Sequence, residues 1–157
     1  MYNKVLVPLD GFEIAECILD HVRTIVTGCQ VSEVVLLGVI EAHGKGLPST
    51  TWGGIISDEQ EAALATESMA EIKNYLTQVA DKLKAEGVFV QPVVLQGNVA
   101  EKILDYAIEN QVDLIMMSTH GRSGLSRWAL GSVADRVVRH SPVPVLIVSP
   151  KGSRINS

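Results

Sequence analysis

The chain has 157 residues, of which 46% are hydrophobic and 20% are charged, with a formal net charge of −5. This composition is typical of one folded domain and excludes a largely disordered chain. The positive charges are scattered rather than gathered in a basic stripe, so we expect no nucleic acid as the main partner. Because no apolar run reaches membrane-spanning length and no leader-like segment precedes the first strand, we expect a cytoplasmic protein with no membrane partner.

Strands and helices alternate in the first part of the chain. Val5 to Leu9 is a predicted strand, and Glu13 to Val26 is a predicted helix that Gly28 ends. The segment Val34 to Ile40 lacks polar alternation, which predicts a strand buried on both faces. Residues 42–56 contain four glycines and a proline, which predicts a long loop.

The middle of the chain contains two capping-box patterns, each of which indicates the start of a helix. Ser57 to Gln60 opens a predicted helix that runs to about Glu86, where Gly87 ends it. Its apolar stripe is expected to face the core and includes Leu64, Ile72, Leu76, Val79 and Leu83. Val88 to Leu95 is the third predicted strand. Asn98 and Glu101 then open a helix through Ile108.

The last part of the chain continues the alternation and completes the predicted fold. Leu114 to Met117 is a strand, Val133 to His140 is a helix, and Pro144 to Val148 is the final strand. The order βαβαβαβαβ predicts a five-stranded, doubly wound parallel α/β sheet of the Rossmann-like type. Helices cover both faces, and the strand order is 3-2-1-4-5. We expect one domain over residues 1–149 and a flexible tail over 150–157.

A loop of small residues between the fourth strand and the last helix is the most informative motif. It reads Ser118-Thr119-His120-Gly121-Arg122-Ser123-Gly124 and is followed by Gly131-Ser132-Val133. Glycines let a ligand approach the backbone, and unpaired N–H groups at a helix start favour anions. In the predicted strand order the ligand crevice lies between strands one and four, where Asp10 also ends a strand. The sequence therefore predicts a phosphate site.

The chain resembles the universal stress protein family over nearly its whole length, from Val5-Leu6-Val7-Pro8-Leu9-Asp10-Gly11 to Pro142-Val143-Pro144-Val145-Leu146-Ile147-Val148. The ATP-binding branch of that family carries G-x2-G-x9-G-[ST]. Gly121 and Gly131-Ser132 match the second and third elements, whereas Ser118 replaces the first glycine. The β-carbon of Ser118 could crowd the phosphates, although its hydroxyl could donate a hydrogen bond.

The resemblance implies a bound adenine nucleotide, which is ATP or else ADP or AMP, expected with magnesium. It implies adenine against Pro8 and Val39, hydrogen bonds from the ribose or the adenine to Asp10, and Met117 near the sugar. The residues implied around the phosphates are Ser118, Gly121, Arg122, Gly131, Ser132 and Val133. The resemblance also implies a homodimer through the apolar edge strand 144–148, in a stress-response protein with an unidentified protein partner.

Several alternatives stay open at this point. The favoured function is a nucleotide-dependent regulatory module with little hydrolysis, because the chain lacks a G-x-x-x-x-G-K-[ST] lysine and an obvious acidic pair for magnesium. A second hypothesis is a nucleotide-free dimeric interaction protein in which Ser118 closes the site. An enzyme of a related doubly wound group is the third. The glycine loop could also be an ordinary turn capped by Ser132, and Asp10-Gly11 could be a turn pair.

Two cysteines bear on the expected compartment. Cys17 and Cys29 lack a CxxC spacing, and a disulfide between them would tie a helix to its own end. We therefore expect two reduced, packed thiols.

Overall fold

The computed structural model describes residues 1–11, 17–41, 58–119 and 130–149. Within them five strands and four helices alternate: β1 (Lys4–Pro8), α1 (Ile18–Cys29), β2 (Glu33–Ile40), α2 (Asp58–Ala85), β3 (Val90–Gln96), α3 (Val99–Glu109), β4 (Leu114–Ser118), α4 (Ser132–His140) and β5 (Val145–Val148). All strand pairs are parallel, in the order β3-β2-β1-β4-β5. The predicted fold class and strand order are thus confirmed. Among these described helices, none has the length and apolar character needed to cross a membrane.

The sheet carries a hydrophobic core on each face. The first, called here the α1–α2 face, includes Val7, Leu36 and Met116 from the strands with Val22 and Leu76 from the helices. The second, called here the α3–α4 face, is built chiefly from Leu6, Leu37, Met117, Ile103 and Val137. Because alternate residues of a strand point to opposite faces, neighbouring residues of β1, β2 and β4 belong to different cores.

Three of the described helices end in the same hydrogen-bonded turn, with Gln30, Gly87 and Gln111 in the left-handed region at φ 53°, 87° and 54°. In each, the following residue donates its N–H to a carbonyl five residues earlier: Val31 to Val26, Val88 to Leu83 and Val112 to Ala107. The expected stop at Gly28 is wrong, because α1 continues to Cys29 and Gln30 takes the left-handed position. The predicted start of this helix at Glu13 lies outside the described residues.

The position of Leu64 differs from its expected core role. Helix α2 has 28 residues and is about 42 Å long. Strand β2 has 8 residues and spans about 26 Å. The sheet is therefore too short to cover the whole helix, and Leu64 is 54% exposed, whereas Leu76 is fully buried.

Asn98 caps α3 as predicted, with its Oδ1 accepting the Glu101 N–H at 3.1 Å. Ser57, the loop 42–56 and the tail 150–157 lie outside the described residues.

Pro92 lies inside the edge strand β3 without breaking its pairing. Val34 N–H donates to Phe89 O at 2.9 Å, and Gly97 N–H donates to Ile40 O at 2.8 Å. Since backbone groups alternate sides along a strand, the nitrogen of Pro92 faces away from β2, toward the open edge. Pro92 therefore removes no hydrogen bond between β3 and β2. It does remove one N–H donor from the row that β3 directs toward its open edge.

Asp113 ties the amino terminus of the chain to β4. Its Oδ2 accepts the N–H groups of Asn3 and Lys4, each at 2.8 Å. Its own N–H donates to Lys4 O at 2.9 Å. These bonds hold β1 and β4 together at their amino ends.

Candidate functional site

The order of the strands reverses between β1 and β4, which is where an open α/β sheet forms its ligand crevice. β1 pairs with β2 as far as Pro8↔Leu37, and β4 pairs with β5 as far as Ser118↔Val148. The register pairs between β1 and β4 are Val5↔Leu114 and Leu6↔Ile115, near the amino ends of the two strands. The carboxyl ends of β1 and β4 therefore lie beyond their shared ladder, at the position where open α/β sheets bind ligands.

Pro8 explains why the pairing of β1 with β4 ends before the carboxyl ends of the two strands. Leu9 N–H donates to Leu37 O at 2.9 Å, so the backbone of Leu9 faces β2. The nitrogen of the preceding residue, Pro8, must then face β4. Because proline has no N–H, β1 cannot donate the next ladder bond to β4, and the pairing stops.

Three of the residues expected to hold the nucleotide share one face of the sheet. Met117 is 5% exposed and lies in the core of the α3–α4 face, and Val39 packs against that core while half-buried. Pro8 is half-buried and pairs with Leu37, which belongs to the same core. The structure thus gathers Pro8, Val39 and Met117 on the face that carries α4.

The first turn of α4 begins at the carboxyl edge of β4. Gly131 is the N-cap residue, and Asp135 N–H donates to Gly131 O at 2.9 Å to close the first turn. Within the described part of the chain, no side chain caps this helix start. The N–H groups of exposed Ser132 and half-buried Val133 belong to the turn that has no intrahelical acceptors. Such groups, together with the helix dipole, favour an anion.

Gly131 is a glycine that its described surroundings do not require. Its φ of −53° and ψ of 156° suit any residue. A β-carbon there would lie 3.4 Å from the carbonyl oxygen of Thr119, which is ordinary contact distance. Backbone strain and packing among the described residues therefore do not explain the glycine.

Thr119 contacts β5 beside the start of α4, a role that the sequence motif does not indicate. Its N–H donates to Val148 O at 3.0 Å, and its Oγ1 lies 3.5 Å from Ser149 Oγ. Its carbonyl oxygen faces Gly131. Thr119 therefore joins the end of β4 to β5, and its carbonyl oxygen lies beside the start of α4. The motif carries no sequence signal for this role, because the backbone of Thr119 performs most of it.

Asp10 lies at the exposed carboxyl end of β1, beside the crevice. Gly11 follows it with φ +88°, in the left-handed region that favours glycine. Gly121 and Arg122, which were also expected at the phosphates, lie outside the described residues, as does His120.

Two cysteines lie at the two ends of α1, Cys17 before its first residue and Cys29 at its last. Burial and the nearby Asp20 carboxylate raise the pKa of the Cys17 thiol, which makes its thiolate scarce. Cys17 and Cys29 are both free and half-buried, in accord with the expected packed thiols. Over residues 1–11, 17–41, 58–119 and 130–149, no three His, Cys, Asp or Glu side chains are grouped as a metal site would require.

Comparison with known proteins places the chain in a family. A sequence model described as the universal stress protein family matches residues 1–149. The universal stress protein MJ0577 of Methanocaldococcus jannaschii is 34% identical over 160 residues, covering 98% of this chain and 98% of its own. The solved structure of MJ0577 superposes with a TM-score of 0.81, covering 100% of this chain and 99% of that one.

Two further solved structures share the fold and hold nucleotides. A universal stress protein in complex with cAMP is 21% identical, with a TM-score of 0.65 and coverage of 95% of this chain and 98% of that one. A universal stress protein family protein from Arabidopsis thaliana with AMP bound is 17% identical, with a TM-score of 0.66 and coverage of 96% and 93%. The chain described here belongs to the universal stress protein family.

Proposed function

We propose that the protein binds an adenine nucleotide, with ATP as the favoured ligand and ADP or AMP as the others, in the crevice between β1 and β4. The observation that carries this proposal is Gly131, which neither backbone strain nor packing among the described residues requires, at a helix start that no described side chain caps. An adenine nucleotide carries two groups that suit this crevice. Its phosphates are the anion that the start of α4 favours, and its base is a flat ring that packs against the carboxyl ends of the strands.

Each part of the nucleotide then has its own contacts. The phosphates accept hydrogen bonds from the N–H groups of Ser132 and Val133, with Gly121 and Arg122 as further phosphate residues from the motif. Adenine lies against Pro8 and Val39, the sugar packs near Met117, and Asp10 accepts hydrogen bonds from the sugar or base. Magnesium enters as the counter-ion of the triphosphate. The cAMP and AMP complexes of the two more distant family members support this class of ligand.

The proposed role is regulatory, in a cytoplasmic response to stress. Binding changes the relative stability of conformations that differ in their affinity for the nucleotide, and so changes the surface that a partner protein meets. The residues proposed for the site are mainly backbone donors and apolar side chains. Their one carboxylate, Asp10, is assigned to the sugar or base, and no acidic pair is placed among them to hold magnesium or activate water, so hydrolysis is expected to be slower than about 1 per second.

Titration calorimetry with ATP, ADP, AMP and adenosine tests the binding proposal. We expect saturable binding of at least one nucleotide at a stoichiometry of one per chain. Gly131→Val places a branched side chain where the phosphates would lie, and it should lower nucleotide affinity while the circular dichroism spectrum stays unchanged. Unchanged ATP affinity in that variant would show that the phosphates lie elsewhere.

We also propose a homodimer of the domain formed by residues 1–149, paired through β5. Ile115 N–H donates to Pro144 O and Thr119 N–H donates to Val148 O, each at 3.0 Å, so Val145 and Ile147 direct their backbone groups away from β4. The opposite edge, β3, has Pro92 in its outward row. β5 is therefore the edge better suited to pairing with a second copy. A nucleotide-free interaction protein remains the second candidate function, and this edge is the observation that favours it.

A further inference from the structure

Ser118 occupies the position of the first glycine in the family's ATP-binding motif. A β-carbon there would close the phosphate site if it pointed toward α4. The direction of the Ser118 side chain therefore decides whether this residue closes the site. The inference below rests on the proposed nucleotide site.

The strand pattern assigns Ser118 to a face. Along β4, Met116 lies in the core of the α1–α2 face and Met117 lies in the core of the α3–α4 face. Ser118 is the next residue of the same strand, so its side chain returns to the α1–α2 face. Its register partner Val148 gives independent support, because Val148 packs against the α1–α2 core.

Helix α4 lies on the opposite face. Ala134 and Val137 are buried in the α3–α4 core, and Val133 packs against it. The helix therefore approaches the end of β4 from the face to which Met117 points. Pro8 and Val39 lie on that same face, as the register and the core contacts require.

We infer that Ser118 replaces the motif glycine without closing the site, because its side chain and the anion lie on opposite faces of the sheet. The phosphates occupy the α3–α4 face at the start of α4. The side chain at position 118 projects toward α1, so its size is not what limits nucleotide binding. The sensitive position is Gly131, where an added side chain would lie between β4 and the helix start.

A matched pair of variants separates these two positions. Ser118→Val and Gly131→Val introduce the same side chain on the two faces, and Ser118→Gly restores the family motif. ATP and adenosine are titrated against the wild type and all three variants by calorimetry, and thermal unfolding checks that each variant is folded. Adenosine has no phosphates, so its affinity measures the base and sugar contacts alone. The ratio of the ATP affinity to the adenosine affinity therefore measures the contribution of the phosphates.

We expect Ser118→Gly and Ser118→Val to bind ATP within about threefold of the wild type. Gly131→Val should lose more than about tenfold in ATP affinity, because hydrogen bonds to a charged ligand are lost, while adenosine affinity stays close to the wild-type value. Ser118→Gly binding ATP about tenfold more tightly than the wild type, or being alone in binding it, would overturn the inference and uphold the site. Selective loss of ATP in Ser118→Val would overturn it too. Absence of binding in every variant would refute the proposed function itself, and this inference with it.

Discussion

Gly38 and Ile72 meet where α2 crosses β2, and their contact leaves no space for a side chain at position 38. A β-carbon on Gly38 would lie 2.5 Å from Cγ2 of Ile72 and 3.1 Å from Cδ1 of Leu76. Glycine in a strand interior weakens the strand, so its use here indicates close approach of the helix. This contact packs the buried half of α2 closely against the sheet.

Gly38→Ala is therefore expected to destabilise the protein by about 1–3 kcal/mol through overpacking. Gly28→Ala is a matched control, because a β-carbon on Gly28 meets nothing within 4 Å and the position is helical. That control should stabilise by about 0.5–1 kcal/mol. Urea denaturation of the two variants measures both effects. Adding Ile72→Ala to Gly38→Ala should give a favourable coupling energy, and simple additivity would contradict the proposed contact.

Pro8→Ala tests whether the missing N–H opens the crevice. The new amide at position 8 should face β4 and extend the ladder, which would narrow the site and weaken nucleotide binding. Pro92→Ala adds an amide that faces the open edge of β3, and it should leave nucleotide affinity unchanged. Amide hydrogen exchange supplies the structural measurement. We expect the new amide at position 8 to be protected and the one at position 92 to exchange rapidly, and the reverse pattern would refute the ladder explanation.

Two proline substitutions test the proposed dimer edge. Ile147→Pro removes an outward N–H from β5 and keeps the bonds that neighbouring residues make to β4. Val94→Pro removes an outward N–H from β3, which is the same kind of position on the other edge. Light scattering coupled to gel filtration should find the Ile147→Pro variant monomeric and the Val94→Pro variant dimeric. A dimer that survives in the Ile147→Pro variant, with native circular dichroism, would place the interface elsewhere.

The Arg23–Glu86 pair predicts a pH dependence of stability. Arg23 joins α1 to the end of α2 through bonds of 2.6 Å and 3.0 Å to the Glu86 carboxylate. Hydrogen bonding from Arg23 is the largest cause that lowers the pKa of Glu86 in the folded protein. The stabilisation is therefore present above the ordinary glutamate pKa and is lost as the pH falls through the lowered value. Glu86→Gln should flatten the acid limb of the thermal stability profile, and a profile that matches the wild type would show that the pair contributes nothing.

The residues that the sequence predicted correctly are those whose local chemistry determines their structure. Asn98 caps α3 because a short amide side chain reaches the first-turn N–H groups, and that requirement is visible in the sequence. Gln30 could not be foreseen, since glutamine seldom takes a left-handed conformation and Gly28 offers a stronger stop signal nearby. Leu64 fits the helical stripe, but its burial depends on how far the sheet extends beneath α2.

In the candidate site, too, some features follow from the local sequence and others depend on contacts between distant residues. The strand order and the position of Gly131 could be predicted, because motif spacing and alternation determine them. The face to which Ser118 points follows from which core Met116 and Met117 each enter, and a single sequence does not determine that. The role of Thr119 depends on a backbone hydrogen bond to Val148, and such a bond leaves no side-chain pattern to detect.

The central claim is that the crevice between β1 and β4 holds an adenine nucleotide. Mass spectrometry of the small molecules released when freshly purified protein is denatured tests it most directly. The proposed function requires an adenine nucleotide at close to one per chain in the wild type and its depletion in Gly131→Val. A wild-type protein that releases no nucleotide and also fails to bind added ATP with magnesium would contradict the claim and favour the nucleotide-free interaction protein.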